Sequence, residues 1–422
     1  MATDVDVQYF SHLNGLTLGN NWGDLIRLLD KTLVTGIDFT QITAASIDAQ
    51  GDVHITLYAA HNAMLFQVVE LTGFAPASFN QKYRIKGVPS ATELILKPQT
   101  AIVETNITTV GAGKLASLGY EIIFRDQNDV KRVYRAKNPR SEHPFIRVDE
   151  SLTSPDGTTG VYTSTYAKYA MVGLLEQMEH IDDFENPNVL QLPFDPGDPA
   201  KNWKITGTGT SVVRGWSKLF WACSYNNGDS PSNASSPSAG NRAFTLCGDL
   251  DAFYLITTQT AAQNKKKVYG VGLFESTTPS EVVPNWFLMT TVSDAFNFGW
   301  NIPGYFPLMY NANVSQFFCP RYTPAEFLSA HVVANPIIPN FGTGTGRYDG
   351  LSASFLQIPF SDNQGKLRGT LKHLGYNCNS HDSQSNARPV LAHTSMYVRE
   401  TVNMVNGGTG DGSVYLYLGE LE

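Results

Sequence analysis

Charge is what this sequence has least of. Asp, Glu, Lys and Arg make up 16% of its 422 residues, against roughly 25% in an ordinary soluble protein. A surface that short of charge is one that neighbouring subunits cover. The formal net charge is −8, and neither sign forms a long run. That excludes the basic stripe with which nucleic-acid binders neutralise phosphates. The densest basic cluster, Lys265, Lys266 and Lys267, reads as a solvated turn.

Cysteine is equally scarce. Cys223, Cys247, Cys319 and Cys378 stand far apart with no CxxC spacing. Four such residues do not make a disulfide framework and suit synthesis in a reducing cytoplasm. No apolar run reaches the ~18 residues of a membrane span. Asp4 and Asp6 sit where a signal peptide needs positive charge. A soluble chain is therefore expected, not exported by the ordinary route and not inserted in a membrane.

What is plentiful is aromatic residues, at 11%, and turn formers, with 36 Gly and 22 Pro. Gly and Pro spread throughout favour many short strands over long helices. One helix is expected near the start, where Trp22, Leu25, Ile26, Leu29 and Leu33 form one stripe of a 3.6-residue period. Asn20 or Asn21 is placed to cap it, and Gly36 to end it. From Ile42 the period becomes two: Val53, Ile55 and Leu57 alternate with His54, Thr56 and Tyr58. Further strands are expected at 67–71, 83–86, 93–96, 120–124, 132–135 and 145–149. Residues 166–178 read as a strand, because Gly173 interrupts an otherwise helix-prone composition.

The expected class is mainly β, with multidomain sandwich or barrel units and a short N-terminal helix. Residues 1–100 form the helix plus a small β domain and 101–185 a second β domain. Residues 186–201, with four prolines, form a linker. Residues 202–422 form one or two aromatic-rich β units. Segments 226–241, 341–350 and 406–412 read as exposed polar loops.

Candidate chemistry is thin. His373, Cys378, His381 and Asp382 are zinc-ligand types, but their spacing fits no standard finger. Glycine-rich stretches at 207–209, 342–346 and 407–412 lack the strand, helix and Lys-Ser/Thr context of a phosphate cradle. Asp149 with Glu150, and Asp182 with Asp183, are adjacent pairs. Neighbours on a strand face opposite sides, so neither pair makes an acid/base couple. His61 and His143 read as structural. The aromatics around Trp216, Phe220, Trp221, Tyr225, Trp286, Phe287, Phe296, Phe298, Trp300, Tyr305, Phe306, Tyr310, Phe317 and Phe318 read mostly as core. Some of them are open to anchoring a subunit interface or stacking on a host glycan. No catalytic residue, metal site or cofactor is expected.

The order of short motifs resembles a family of bacteriophage tail and baseplate proteins. Leu25 to Gly36 is similar to that family's helix ending in "LvtGf". Ala60-His61-Asn62, followed by Gln67 to Gly73, resembles "HG…GdvVtisG", with Asn62 where the family has Gly. Phe79 to Ile85 resembles "lNGtYtv". Gly119-Tyr120-Glu121, Val133-Tyr134-Arg135 and Arg147-Val148-Asp149 are similar to "GW…vYR…lrVdD". Gly248 to Leu255 with Tyr269 to Phe274 resembles "GD…FYl…fGd". The region after Glu275 matches nothing in that family. The resemblance implies a non-enzymatic virion subunit that assembles as a trimer, hexamer or related ring. Its partners would be itself and other tail, baseplate or fibre proteins. The alternatives are a tail adhesin for host surface glycans, a polysaccharide depolymerase, and a capsid decoration or collar protein.

Overall fold

The computed structural model describes residues 3–223, 236–260, 266–280, 283–292, 307–308, 317–321, 331–337, 355–377, 386–403 and 411–422. The chain is mainly β, with one short helix near its start. Among the described residues the strands form three large sheets and one two-stranded ribbon. No helix among them is long and apolar enough to cross a membrane.

The first sheet has seven strands, running in order from Ile37–Asp38 through Ala112–Leu115, Val68–Thr72, Lys82–Ser90, Glu93–Pro98 and Val53–Leu57 to Ile42–Ile47. Its members show the alternation the sequence predicts: Val53, Ile55 and Leu57 are buried, with His54 and Thr56 between them half-exposed. The second sheet is built on Tyr120–Arg125, Lys131–Ala136, Phe145–Asp149, Lys168–Leu175 and Ser217–Ala222. Lys168–Leu175, the strand expected within 166–178, is buried at every position. Gly173 is required there by close approach, since a Cβ would fall 2.7 Å from the Trp203 ring.

The third sheet, of thirteen strands, carries most of the chain beyond 240. Both of its faces are apolar. Phe244, Leu246, Phe253 and Leu255 join the core shared with the helix and the other two sheets. The alternate residues Cys247, Tyr254 and Ile256 enter a separate core on the opposite face. Strand alternation alone sorts these side chains.

The sheets exchange segments that are distant in sequence. Gln8–Ser11 pairs with Phe244–Gly248 at the edge of the large sheet, and Thr291–Val292 joins the second sheet beside Ser217–Ala222. The proline-rich segment 186–201 packs on the second sheet, with Gln191–Leu192 paired to Leu174 and Leu175. The expected loops 226–235 and 341–350 and residues 406–410 lie outside the described residues.

The helix differs from expectation in two respects. It is α-helical over Asp24–Leu29 and then widens into a π-turn over Asp30–Thr35. Gly36 closes it with φ +74°, where a Cβ would lie 2.2 Å from the Leu115 carbonyl oxygen. The cap is neither Asn20 nor Asn21. Asn20 donates to the Pro237 carbonyl at 2.9 Å, and the Asn21 amide donates to Asp24. Gly23 occupies the cap position and offers no side chain. The free amides of Gly23 and Ile26 donate instead to the two carboxylate oxygens of Glu150, the second at 3.1 Å. A residue more than a hundred positions away thus does what a local Asn was expected to do.

A buried guanidinium fastens the first sheet to the third. Arg84 is fully buried and donates to five carbonyl contacts: Asp4 twice, at 2.8 and 2.6 Å, Val7 at 3.0 Å, Phe66 at 2.7 Å and Leu418 at 3.0 Å. Burial pulls its pKa down to about 10. The Asp4 amide also donates to the Glu420 carbonyl at 3.0 Å.

Two outcomes are expected from these ties. Arg84→Met, followed by urea unfolding, loses about 3–5 kcal/mol because several buried carbonyls lose their donor at once. Burial pushes Glu150 up to about 7, from an unfolded value of about 4.3. Its contribution to stability is complete below the unfolded value and is lost as pH rises through about 7. Glu150→Gln flattens that decline in a melting series from pH 4 to 8, and an unchanged profile contradicts this account.

Candidate functional site

A polar cavity of about 810 Å³ lies between the loop at 126–131, the end of Phe145–Asp149, and segments 151–157, 182–185 and 200–205. Its size falls within the range of small-molecule sites. Arg147 stands in its wall, 1% exposed. The guanidinium donates to the Ile181 carbonyl at 2.8 Å, pairs with Asp182 at 2.5 Å and with Asp149 at 3.0 Å, and lies 4.3 Å from the Trp203 ring centroid. Lys131 reaches both oxygens of Asp182, at 2.8 and 2.9 Å.

This is a closed ionic clamp. Burial opposes ionisation of Asp149, but Arg147, Lys131 and the Ser151 hydrogen bonds outweigh it and hold the carboxyl below its usual range. Asp182 behaves the same way, with Lys131 and Arg147 outweighing its burial. An ionised carboxylate clamped by two cations has no proton to give at neutral pH and is a poor base. Both adjacent pairs divide, the first at a strand end and the second in a turn. Asp149 turns to Arg147, while Glu150 turns to the helix amides. Asp183 accepts from the Glu179 amide at 2.7 Å and leaves Asp182 to the clamp.

A second polar cluster joins the second sheet to the third. Asp251 accepts from Arg140 at 2.6 Å, from His143 Nε2 at 2.8 Å and from Lys372. His143 Nδ1 accepts from the Arg140 amide at 2.8 Å, so Nε2 carries the proton. Burial opposes ionisation of Asp251, and His143, Lys372 and Arg140 together drive its pKa far down. Next to it Asp249 pairs with His373 Nε2 at 2.8 Å. The candidate metal group is therefore divided. His373 is bound in this junction, and Cys378, His381 and Asp382 lie outside the described residues. Among the described residues no group of three or more His, Cys, Asp and Glu is placed to hold a metal.

His61 is structural, donating to or accepting from its own neighbourhood: Nδ1 accepts from the Ala63 amide at 2.8 Å and Nε2 lies 3.2 Å from the Ser90 carbonyl. Gly207, Thr208 and Gly209 form a turn between the paired strands Ile205–Thr206 and Val213–Arg214. Residues 342–346 and 407–410 lie outside the described residues. Trp216, Phe220, Trp221, Trp286, Phe287, Phe317 and Phe318 are all core. Tyr225, Phe296, Phe298, Trp300, Tyr305, Phe306 and Tyr310 lie outside the description.

The lysine cluster requires a correction. Lys265 is outside the described residues, but Lys266 and Lys267 are buried, not solvated. Lys267 begins a central strand of the large sheet, and Lys266 pairs with Glu400 at 2.7 Å with both side chains at 0% exposure. Composition could not reveal this, because the partner lies 134 positions away. The Asp249–Asp251 junction was missed for the same reason. Its signal in the sequence was a Gly-Asp-Leu-Asp turn at 248–251, noted above only within the resemblance.

Lys218 was not singled out either. It is 5% exposed and sits over the Tyr169 ring at 5.1 Å, with no carboxylate paired to it among the described residues. Burial, with a smaller contribution from Arg214, pulls it down to about 7. The unfolded chain then binds the extra proton between about pH 7 and about 10, so stability rises with pH across that window. Lys218→Met should raise stability at pH 7 and abolish the rise, as read by urea midpoints at pH 7, 8.5 and 10. A midpoint lower than wild type at pH 7 contradicts this.

No family model matches this chain, and no curated protein does. Among solved structures, the phage phi92 endosialidase aligns at 8% identity over 99% of this chain and 52% of that one, with a TM-score of 0.14. The chain spans about half the length of that protein, and overlap at such a TM-score carries no argument about fold or activity.

Proposed function

We propose that this chain is a non-enzymatic structural subunit of a phage virion, in the tail or baseplate. It assembles with copies of itself into a closed ring and holds neighbouring tail or fibre proteins. The order of motifs from Leu25 to Phe274 supports the family part of this reading. The observation that carries the mechanical part is the cross-bracing of the sheets. Arg84 ties the first sheet to the N-terminal segment and to the strand Asp411–Glu420 of the third. The Asp251 junction ties the second sheet to the third through Arg140, His143 and Lys372. Such a block transmits force between neighbours without shearing along its sheet boundaries.

The polar groups best placed for chemistry serve this bracing. Asp149 and Asp182 hold Arg147, and Glu150 holds the helix. The adhesin alternative needs exposed aromatics in the third region; Trp216, Phe220, Trp221, Trp286, Phe287, Phe317 and Phe318 are buried there, and Phe355, Tyr397 and Tyr417 form a half-buried cluster. Closed symmetry then lets one gene product build a complete ring.

Light scattering on the purified chain, with negative-stain imaging in the presence of tail extract, tests the reading. A discrete ring or trimer that decorates one zone of the tail is expected. A monomer that ignores tails, or release of reducing sugar from host polysaccharide, overturns it.

A further inference from the structure

Residues 101–110 connect the strand Glu93–Pro98 to Ala112–Leu115, crossing the ends of the two strands between them. Seven of these ten residues are Ile, Val or Thr, the composition of a strand. Yet no strand forms. The segment is pinned at each end: the Thr100 amide donates to Gln81 at 2.7 Å, and the Thr108 amide to the Ala75 carbonyl at 2.9 Å. Between those pins, 101–107 make no backbone–backbone hydrogen bond among the described residues. Ile102 and Ile107 pack against the core and fix the segment in place, while Val103 is 90% exposed. A strand-forming stretch with free amides and carbonyls is held out from the surface.

The chain also presents an edge that fits it. Most edge strands are guarded in the ways folded proteins guard them. Arg388–Ala392 carries an arginine and a proline, Tyr120–Arg125 carries Glu121 and Arg125, and Gln8–Ser11 is buried. Ile37–Asp38 and Thr291–Val292 are only two residues long. Ile42–Ile47 ends the first sheet with no charge and no proline, and Thr43, Ala44 and Ser46 are exposed. A register irregularity beside Thr43 leaves Ala44 to Ile47 as its regular stretch. The segment and the edge cannot meet within one molecule. The segment is pinned at Gln81 and Ala75, beside the strands Lys82–Ser90 and Val68–Thr72, and three and four strand spacings within the sheet separate these from Ile42–Ile47, roughly 14–19 Å.

We infer that residues 101–107 of one copy add as an extra strand to the open edge Ile42–Ile47 of a second copy. This rests on the ring-forming reading above and supplies its contact. The two surfaces differ, so the contact is head-to-tail, which generates a ring where the rotation closes. The occupant is a second copy because, among the described residues, each chain carries both an unpaired strand-former at 101–107 and an unguarded uncharged edge at Ile42–Ile47. Main-chain hydrogen bonds supply the affinity in strand addition of this kind.

The test uses the whole chain. Thr105→Pro removes an amide that has no partner among the described residues, and Ser46→Lys places a charge on the exposed edge. Each should reduce the wild-type assembly to monomer by light scattering, with the melting temperature unchanged. Val103→Cys copies mixed with Ser46→Cys copies should give an oxidised dimer band that neither variant gives alone. Assembly of both surface variants at wild-type mass, or no mixed disulfide, overturns strand addition while leaving the ring reading in place. A wild-type chain that is monomeric at all concentrations overturns both. Variants that unfold are replaced by Val103→Asp and Ala44→Lys, read in the same way.

Discussion

A buried guanidinium whose described hydrogen bonds all go to carbonyl oxygens sets the terms for the rest of the structure. Arg84 is buried and satisfied only by carbonyl oxygens, so each of those carbonyls must stay where it is. They come from the N-terminal segment, the turn at Phe66 and the last strand of the large sheet. A buried charge that loses such partners is far more costly than one lost neutral hydrogen bond. The first sheet, both chain ends and the large sheet are therefore coupled as one unit. Arg214, from the two-stranded ribbon, repeats the device against the second sheet, donating to the carbonyls of Ser151 at 2.9 Å and Tyr169 at 3.0 Å.

The same economy changes the meaning of the low charge content. At least ten of the 30 Lys and Arg residues, including Arg84, Arg132, Arg147 and Lys266, are buried. The outer surface is thus poorer in positive charge than composition suggests. Part of the charge is thus an internal fastening, and because fewer Asp and Glu than Lys and Arg are buried among the described residues, the outer surface is more negative than the formal net charge indicates.

The local pattern of the fold was legible in the sequence, and its long-range chemistry was not. Alternation placed Val53–Leu57 and Phe145–Asp149, and Gly173 correctly favoured strand over helix in Lys168–Leu175. The helix stripe was right in Leu25, Ile26, Leu29 and Leu33, all buried. Its cap was wrong because a cap needs only an acceptor at the right point in space, and Glu150 supplies one from another sheet. Lys266 was misread because a charged run on paper resembles a solvated turn until its counter-ion is known. For the adjacent pair Asp149 and Glu150, the opposite facing was predictable and the partners were not. Periodicity reports which way a side chain points, and says nothing about what waits there.

The pairing of Gln8–Ser11 with Phe244–Gly248 has a consequence in time. At roughly 5–20 residues per second, the ribosome finishes residue 248 some ten to fifty seconds after the first strand has emerged. The Leu418 carbonyl that Arg84 needs is made later still. Until then an apolar strand and a buried-type cation have no proper partner, and non-local pairing of this kind is slow to form and exposed to misassembly. The bracing that makes the finished molecule rigid therefore obliges the young chain to wait, with its first strand unpaired until Phe244–Gly248 is made and Arg84 short of a partner until the strand that carries Leu418 follows.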